Sequence, residues 1–164
     1  MIFQVGDRVV YPPQGGGTIQ GIVERQVSGE PRKYLQVVFV RGDMEVLVPL
    51  DSARQVGLRR TLGSDEFGRL AEQAQAELDL PEPWPPRYRA EQDILARSDT
   101  FELARLIGTL YRRDMERGLA STERDVLETA RALLASELAV VRGTSLADSE
   151  TWIDETLLAG STEV

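Results

Sequence analysis

Two segments concentrate the side chains able to recognise another molecule. The first is Glu82-Pro83-Trp84-Pro85-Pro86-Arg87-Tyr88-Arg89. With Pro81 it holds four prolines, which stiffen the chain and keep the indole from folding into a helix. Arg87 and Arg89 would open the next helix, where the dipole disfavours cations unless an anion lies close. A rigid ring beside cations suits a wedge in a nucleic-acid minor groove, with phosphates held alongside. A Trp that plugs a junction between helices fits the same residues. The second segment is Leu35-Gln36-Val37-Val38-Phe39-Val40. As a strand it would turn Leu35, Val37 and Phe39 to a core and leave Val38 and Val40 on the other face. In Met44–Val48, Leu47 is likewise out of phase. Apolar residues on both faces mean that the outward face is covered, by the chain's own helices or by a partner. Arg25 breaks the parity of Ile19, Val23 and Val27, which implies a bulge or a deliberate contact.

Catalytic chemistry finds little support. The 164 residues include no Cys and no His, which removes thiolate nucleophiles, imidazole bases and Cys/His metal, haem or iron–sulfur sites. Gly15-Gly16-Gly17 invites a phosphate-binding reading, but it leads from a strand into another strand. Neither the Lys-Ser/Thr of a P-loop nor a Gly-x-Gly-x-x-Gly opening a helix is present. The glycines are expected to supply positive φ at a corner of the sheet. Asp114 and Glu116 lie two apart on a helix among Arg113 and Arg117, a solvated ion-pair pattern and no acid/base dyad. No enzyme, cofactor or metal is expected.

The elements that must position these segments fall into two kinds. Residues 1–60 carry short β-branched runs between Gly- and Pro-rich turns. Strands are expected at Arg8–Tyr11, Thr18–Val27, Tyr34–Val40 and Met44–Val48, a pattern of small antiparallel barrels of SH3 or Tudor type, with an open meander as the alternative. From Leu62 the period becomes helical. Asp65–Leu80, Arg87–Arg97, a helix capped by Ser98 or Asp99 and stopped at Gly118, another from Ser121 or Thr122 to Gly143, and Asp148–Leu158 are expected. The fold class is therefore α+β, a small β-barrel followed by an all-α helical bundle. The division is placed at 1–60 and 61–164.

Charge follows the same line. The formal net charge is −8, and 18 of the 19 cations are Arg, with Lys33 the exception. Residues 1–60 are net +2 and 61–164 net −10, whereas residues 84–131 balance. The acid is concentrated in 61–83 and 132–164, at −5 each. No apolar run is long enough to span a bilayer, and the N-terminus has no signal-peptide pattern, so a cytoplasmic protein without membrane contact is expected.

Together these residues resemble the CarD/CdnL family of bacterial transcription regulators. The resemblance is carried by Phe3-x-Val5-Gly6-Asp7-x-Val9-Val10-Tyr11-Pro12-x-x-Gly15, by Gly42-Asp43 leading to Val48-Pro49, by Trp84 with Arg87-Tyr88, and by Arg112-Arg113-Asp114-x-Glu116-Arg117-Gly118-Leu119. It extends to about residue 140. The opening motif is also similar to the polymerase-binding module of transcription-repair coupling factors, whose helicase motor this sequence lacks. The resemblance implies a monomeric, non-enzymatic factor. Its Tudor-like domain (1–60) would bind the β subunit of RNA polymerase through the face carrying Arg25, Val38, Val40 and Leu47. Its helical domain (61–164) would reach promoter DNA at the upstream edge of the transcription bubble. There Trp84 would wedge into the minor groove while Arg87 and Arg89 meet phosphates. Leu47 stands where members can carry a basic residue, and Pro85-Pro86 where others are more polar. The alternative is a polymerase adaptor without DNA contact. Because an acidic body binds free duplex poorly, the DNA contact is expected only when polymerase tethers the factor.

Overall fold

The computed structural model describes residues 3–12 and 14–159. The expectations for Met1-Ile2, for Pro13 and for Glu163 lie outside them. Five strands, β1 (Arg8–Tyr11), β2 (Gly15–Val27), β3 (Glu30–Phe39), β4 (Glu45–Pro49) and β5 (Arg59–Arg60), form an antiparallel sheet in the order β4-β3-β2-β1-β5. Among the described residues the edge strands β4 and β5 do not pair, so the sheet curls over its core without closing. That core is built from alternate strand residues, with Val9, Ile19, Leu35, Val37, Phe39 and Val48 all buried. The inward parity of Leu35, Val37 and Phe39 is as their sequence alternation requires.

The register slips between Ile19 and Gly21, where Gln20 forms a bulge. A bulge of one residue moves every later side chain of β2 to the opposite face. Val23 thus sits opposite Tyr34 and Arg25 opposite Arg32, all facing away from the core. The parity break at Arg25 has its cause five residues upstream.

The helices are α1 (Phe67–Gln75), α2 (Pro86–Arg97), α3 (Thr100–Arg117), α4 (Ser121–Arg142) and α5 (Leu146–Trp152), the last continuing as a wider turn over Ile153–Leu157. α1 is shorter than its acidic amphipathic run suggests: a 3-10 turn occupies Ser64–Glu66, and the chain leaves helical geometry at Ala76. Asp99 caps α3 by accepting from the Glu102 N–H at 2.9 Å, while α4 starts after Ala120 with no side-chain cap. Gly118 and Gly143 end α3 and α4 at positive φ, as read from the sequence. The helical core joins Leu70, Ala74, Leu103, Leu106, Ile107 and Leu110 to Val126, Ala130, Leu133, Leu134 and Leu138. Gly108 permits the close crossing of α1 and α3, because a Cβ there would overlap the Ala74 carbonyl.

The two cores meet along one seam. α4 crosses the outward face of the sheet at Gly15 and Gly16. Gly15 does have a positive φ, but Gly16 serves close approach: a Cβ there would overlap the Ser136 carbonyl and lie 2.8 Å from the Glu137 Cα. The Gly16 N–H donates to Ser136 Oγ at 2.8 Å, and that hydroxyl donates to the Leu133 carbonyl. Beside it, Glu137 is 1 % exposed and accepts from Arg59 through both oxygens (3.1 and 3.2 Å), from the Leu62 N–H (2.8 Å) and from Thr100 Oγ1 (2.8 Å). One carboxylate therefore binds the end of the sheet, the connection to α1, and the first turn of α3.

Candidate functional site

Trp84 lies in the turn before α2, and its peptide bond to Pro85 is cis. Pro86 occupies the first helical position, where its missing N–H is harmless and its φ suits the helix. This start fixes the polar side chains around the ring. The indole is 41 % exposed. Tyr88, one turn along, holds its ring 5.1 Å from the indole at 53°, and the Arg87 guanidinium stands 5.0 Å from its centroid. Together with Ala120, Thr122 and Glu123 of the α4 start, Trp84 and Arg87 line a cleft of about 290 Å³.

Arg87 and Arg89 part company here. Arg87 is drawn inward, its side chain 16 % exposed. It donates to both Glu123 oxygens (3.0 and 3.3 Å) and to the Glu82 carbonyl (2.7 Å), with Glu91 3.8 Å away. The anion that offsets a cation in the first turn of α2 is thus Glu123 of α4, and a phosphate at Arg87 would have to compete with it. Arg89 is exposed and shows no partner among the described residues.

Beneath the cleft Glu91 is completely buried and Glu123 3 % exposed. Among the described residues no N–H or hydroxyl donor reaches either Glu91 oxygen. Burial, reinforced by the adjacent Glu123 carboxyl, pushes Glu91 up to about 8. Burial acts on Glu123 in the same direction, but bonds from Glu91 and Arg87, with the charge of Arg113, hold it below the ordinary carboxylate range. Neither carboxyl stood out in the local sequence. The available signal was a charge on an apolar stripe, since Glu123, Val126, Ala130 and Leu133 recur at helical spacing.

The ion pairs expected around Asp114 are also rearranged. Asp114 binds Arg124 of α4 (3.0 Å) and accepts from the Leu119 N–H. Arg112 binds Glu77 (2.8 Å) and the Ala74 and Ala76 carbonyls. These arginines tie helices together.

On the sheet, three of the four residues expected at a partner surface, Arg25, Val38 and Leu47, share one face by register. Val38 is opposite Thr18 and Glu45, Leu47 opposite Gln36, and Arg25 opposite Arg32. Val40 follows the end of β3, where its N–H bonds the Gly16 carbonyl (3.1 Å) close to α4. The chain's own helix covers one end of this face, where Val10 is buried opposite Gly16. The other end stays open: Leu47 is 36 % exposed, and Val23 and Tyr34 are half-buried. The chain's own helix thus covers the outward apolar residues at one end of the face and leaves them exposed at the other.

Among the described residues no helix is long and apolar enough to cross a membrane. Residues 3–62 match the CarD-like/TRCF RID domain and residues 70–154 the CarD C-terminal domain. The chain is 29 % identical over 143 residues to a Bacillus subtilis (strain 168) protein named "Putative transcription factor YdeB", across 87 % of this chain and 94 % of the other. The curled sheet, the helices joined to it through Gly16 and Glu137, and these matches over nearly all of its length lead to one conclusion: the chain belongs to the CarD family of transcription regulators.

Proposed function

We propose that this regulator binds the β subunit of RNA polymerase through residues 1–60 and stabilises the promoter open complex through residues 61–164. The open end of the sheet face, with Arg25, Val38 and Leu47, takes the polymerase, and Val40 borders it. Trp84 inserts at the upstream edge of the bubble in the minor groove. Arg89 meets phosphate, and Arg87 holds the ring rather than the DNA. The observation that carries this reading is Trp84 itself, an indole 41 % exposed yet braced by Tyr88 and Arg87. A ring ordered before contact loses little freedom on insertion. Binding the open complex better than the closed one shifts the population toward open, and a tenfold shift requires only about 1.4 kcal/mol. In Trp84→Ala the open-complex lifetime on a purified promoter shortens about tenfold while polymerase binding persists; equal lifetimes defeat the wedge.

A second reading, an adaptor on polymerase without DNA contact, draws on the net charge of −8 and on the engagement of Arg87 by Glu123. Photo-crosslinking from position 84 in a promoter complex separates the two. The wedge gives an adduct to DNA near the upstream bubble edge, and the adaptor gives none.

A further inference from the structure

We propose that Glu91 and Glu123 are positioning residues for Trp84, holding one proton between them beneath the cleft and so keeping Arg87 on Glu123 and against the indole. Two buried carboxyls face each other here across helices α2 and α4. The charged groups around them are Arg87 on α2, Arg113 on α3, and the two carboxyls themselves. Arg87 gives its short bonds to Glu123 and stays 3.8 Å from Glu91. As a carboxylate, Glu91 would be a buried charge with no hydrogen-bond donor, a costly arrangement. As a carboxylic acid it becomes a donor, and the neighbouring Glu123 oxygen is the acceptor within reach. Two carboxyls this close share a proton because both cannot ionise cheaply.

The proton has a geometric consequence. While Glu91 is neutral, Arg87 has a single strong anion to bind and remains on Glu123, 5.0 Å from the indole centroid. When Glu91 ionises, the guanidinium stands between two competing carboxylates, and the brace on Trp84 loosens. Burial places that change near neutral pH, with a midpoint of about 8.

Its value for function rests on the reading of Trp84 as the DNA-contacting ring, but the proton pair can be tested without DNA. The full-length protein carrying Trp152→Phe, labelled with ¹³C at its glutamate carboxyls, is titrated from pH 6 to pH 9. Expected is one glutamate resonance, assigned to Glu91, moving with a midpoint near 8, and Trp84 emission changing with the same midpoint. Glu91→Gln, which keeps a neutral donor in place, removes the resonance and holds the emission at its low-pH value throughout. The Glu91 resonance is assigned through the backbone, so the unsubstituted site decides the matter even where the variant folds poorly. A Glu91 carboxyl already ionised at pH 6 overturns the proposal, as does Trp84 emission that ignores its titration. Either failure is distinct from an unchanged open-complex lifetime in Trp84→Ala, which defeats the wedge alone.

Discussion

Glu137 and Glu91 are both buried carboxyls on amphipathic helices, and their surroundings could hardly differ more. Glu137 accepts from Arg59, the Leu62 N–H and Thr100. Glu91 accepts from no N–H or hydroxyl among the described residues. The first is bonded through both oxygens, and it joins elements from both parts of the chain. The second sits in a region with too few donors for its charge and is held neutral by that shortage. A buried acid strengthens a fold only in proportion to the donors arranged around it. Where donors are missing, the acid becomes responsive to its solvent instead.

The largest effect should come from removing the bonded member. Glu137→Ala leaves the Arg59 guanidinium, an amide and a hydroxyl without their acceptor, and is expected to cost about 3–5 kcal/mol, read by urea denaturation at pH 7. A loss under 1 kcal/mol would erase the contrast with Glu91. Replacing the unbonded member should do the opposite. Glu91→Leu removes a group whose folded value is raised from 4.5 to about 8. Such a group contributes stability that is full below pH 4.5 and is lost as pH rises through about 8. The variant is therefore expected to gain on the wild type as pH rises, reaching roughly 1–3 kcal/mol at pH 9. Parallel stability curves from pH 5 to 9 would contradict it. The smallest effect belongs to a pair at the surface. Arg97 and Glu102 are bonded at 3.0 Å but lie in water on the Arg97 side, so Arg97→Ala should cost under about 1 kcal/mol and less in high salt. A larger loss would mean that hydrogen-bond number, rather than burial, sets the difference.

The sequence made legible whatever repeats locally. Alternation in Leu35–Phe39 identified the inward face of β3, and Gly118 and Gly143 marked two helix ends. The expected partner residues Arg25, Val38 and Leu47 do share a face, although the reason for Arg25, a bulge at Gln20, is set by pairing with β3 and has no local signature. β5 is two residues long and exists only because β1 pairs with it. The cluster around Trp84 was legible in its own segment, and what fixes it there was not. Arg87 reads as a phosphate contact until Glu123, 36 residues away, takes its guanidinium. Gly16 and Ser136, 120 residues apart, form one bonded seam that composition reports only as a turn. Charges that fall on apolar stripes, as Glu123 and Glu137 do, were the remaining local clue.

The glycine seam sets a scale for the whole molecule. With no side chain on the β2 glycines, the backbone of the sheet closes on α4, and relative sliding would break the bond from Gly16 to Ser136 and strip donors from Glu137. Under the proposed function, the polymerase-facing sheet and the indole are then the two jaws of a fixed caliper. Such an instrument measures a constant offset from the enzyme to the DNA it touches. On that proposal, where it acts on a promoter would be decided by where the polymerase stands, with no need to read a base sequence.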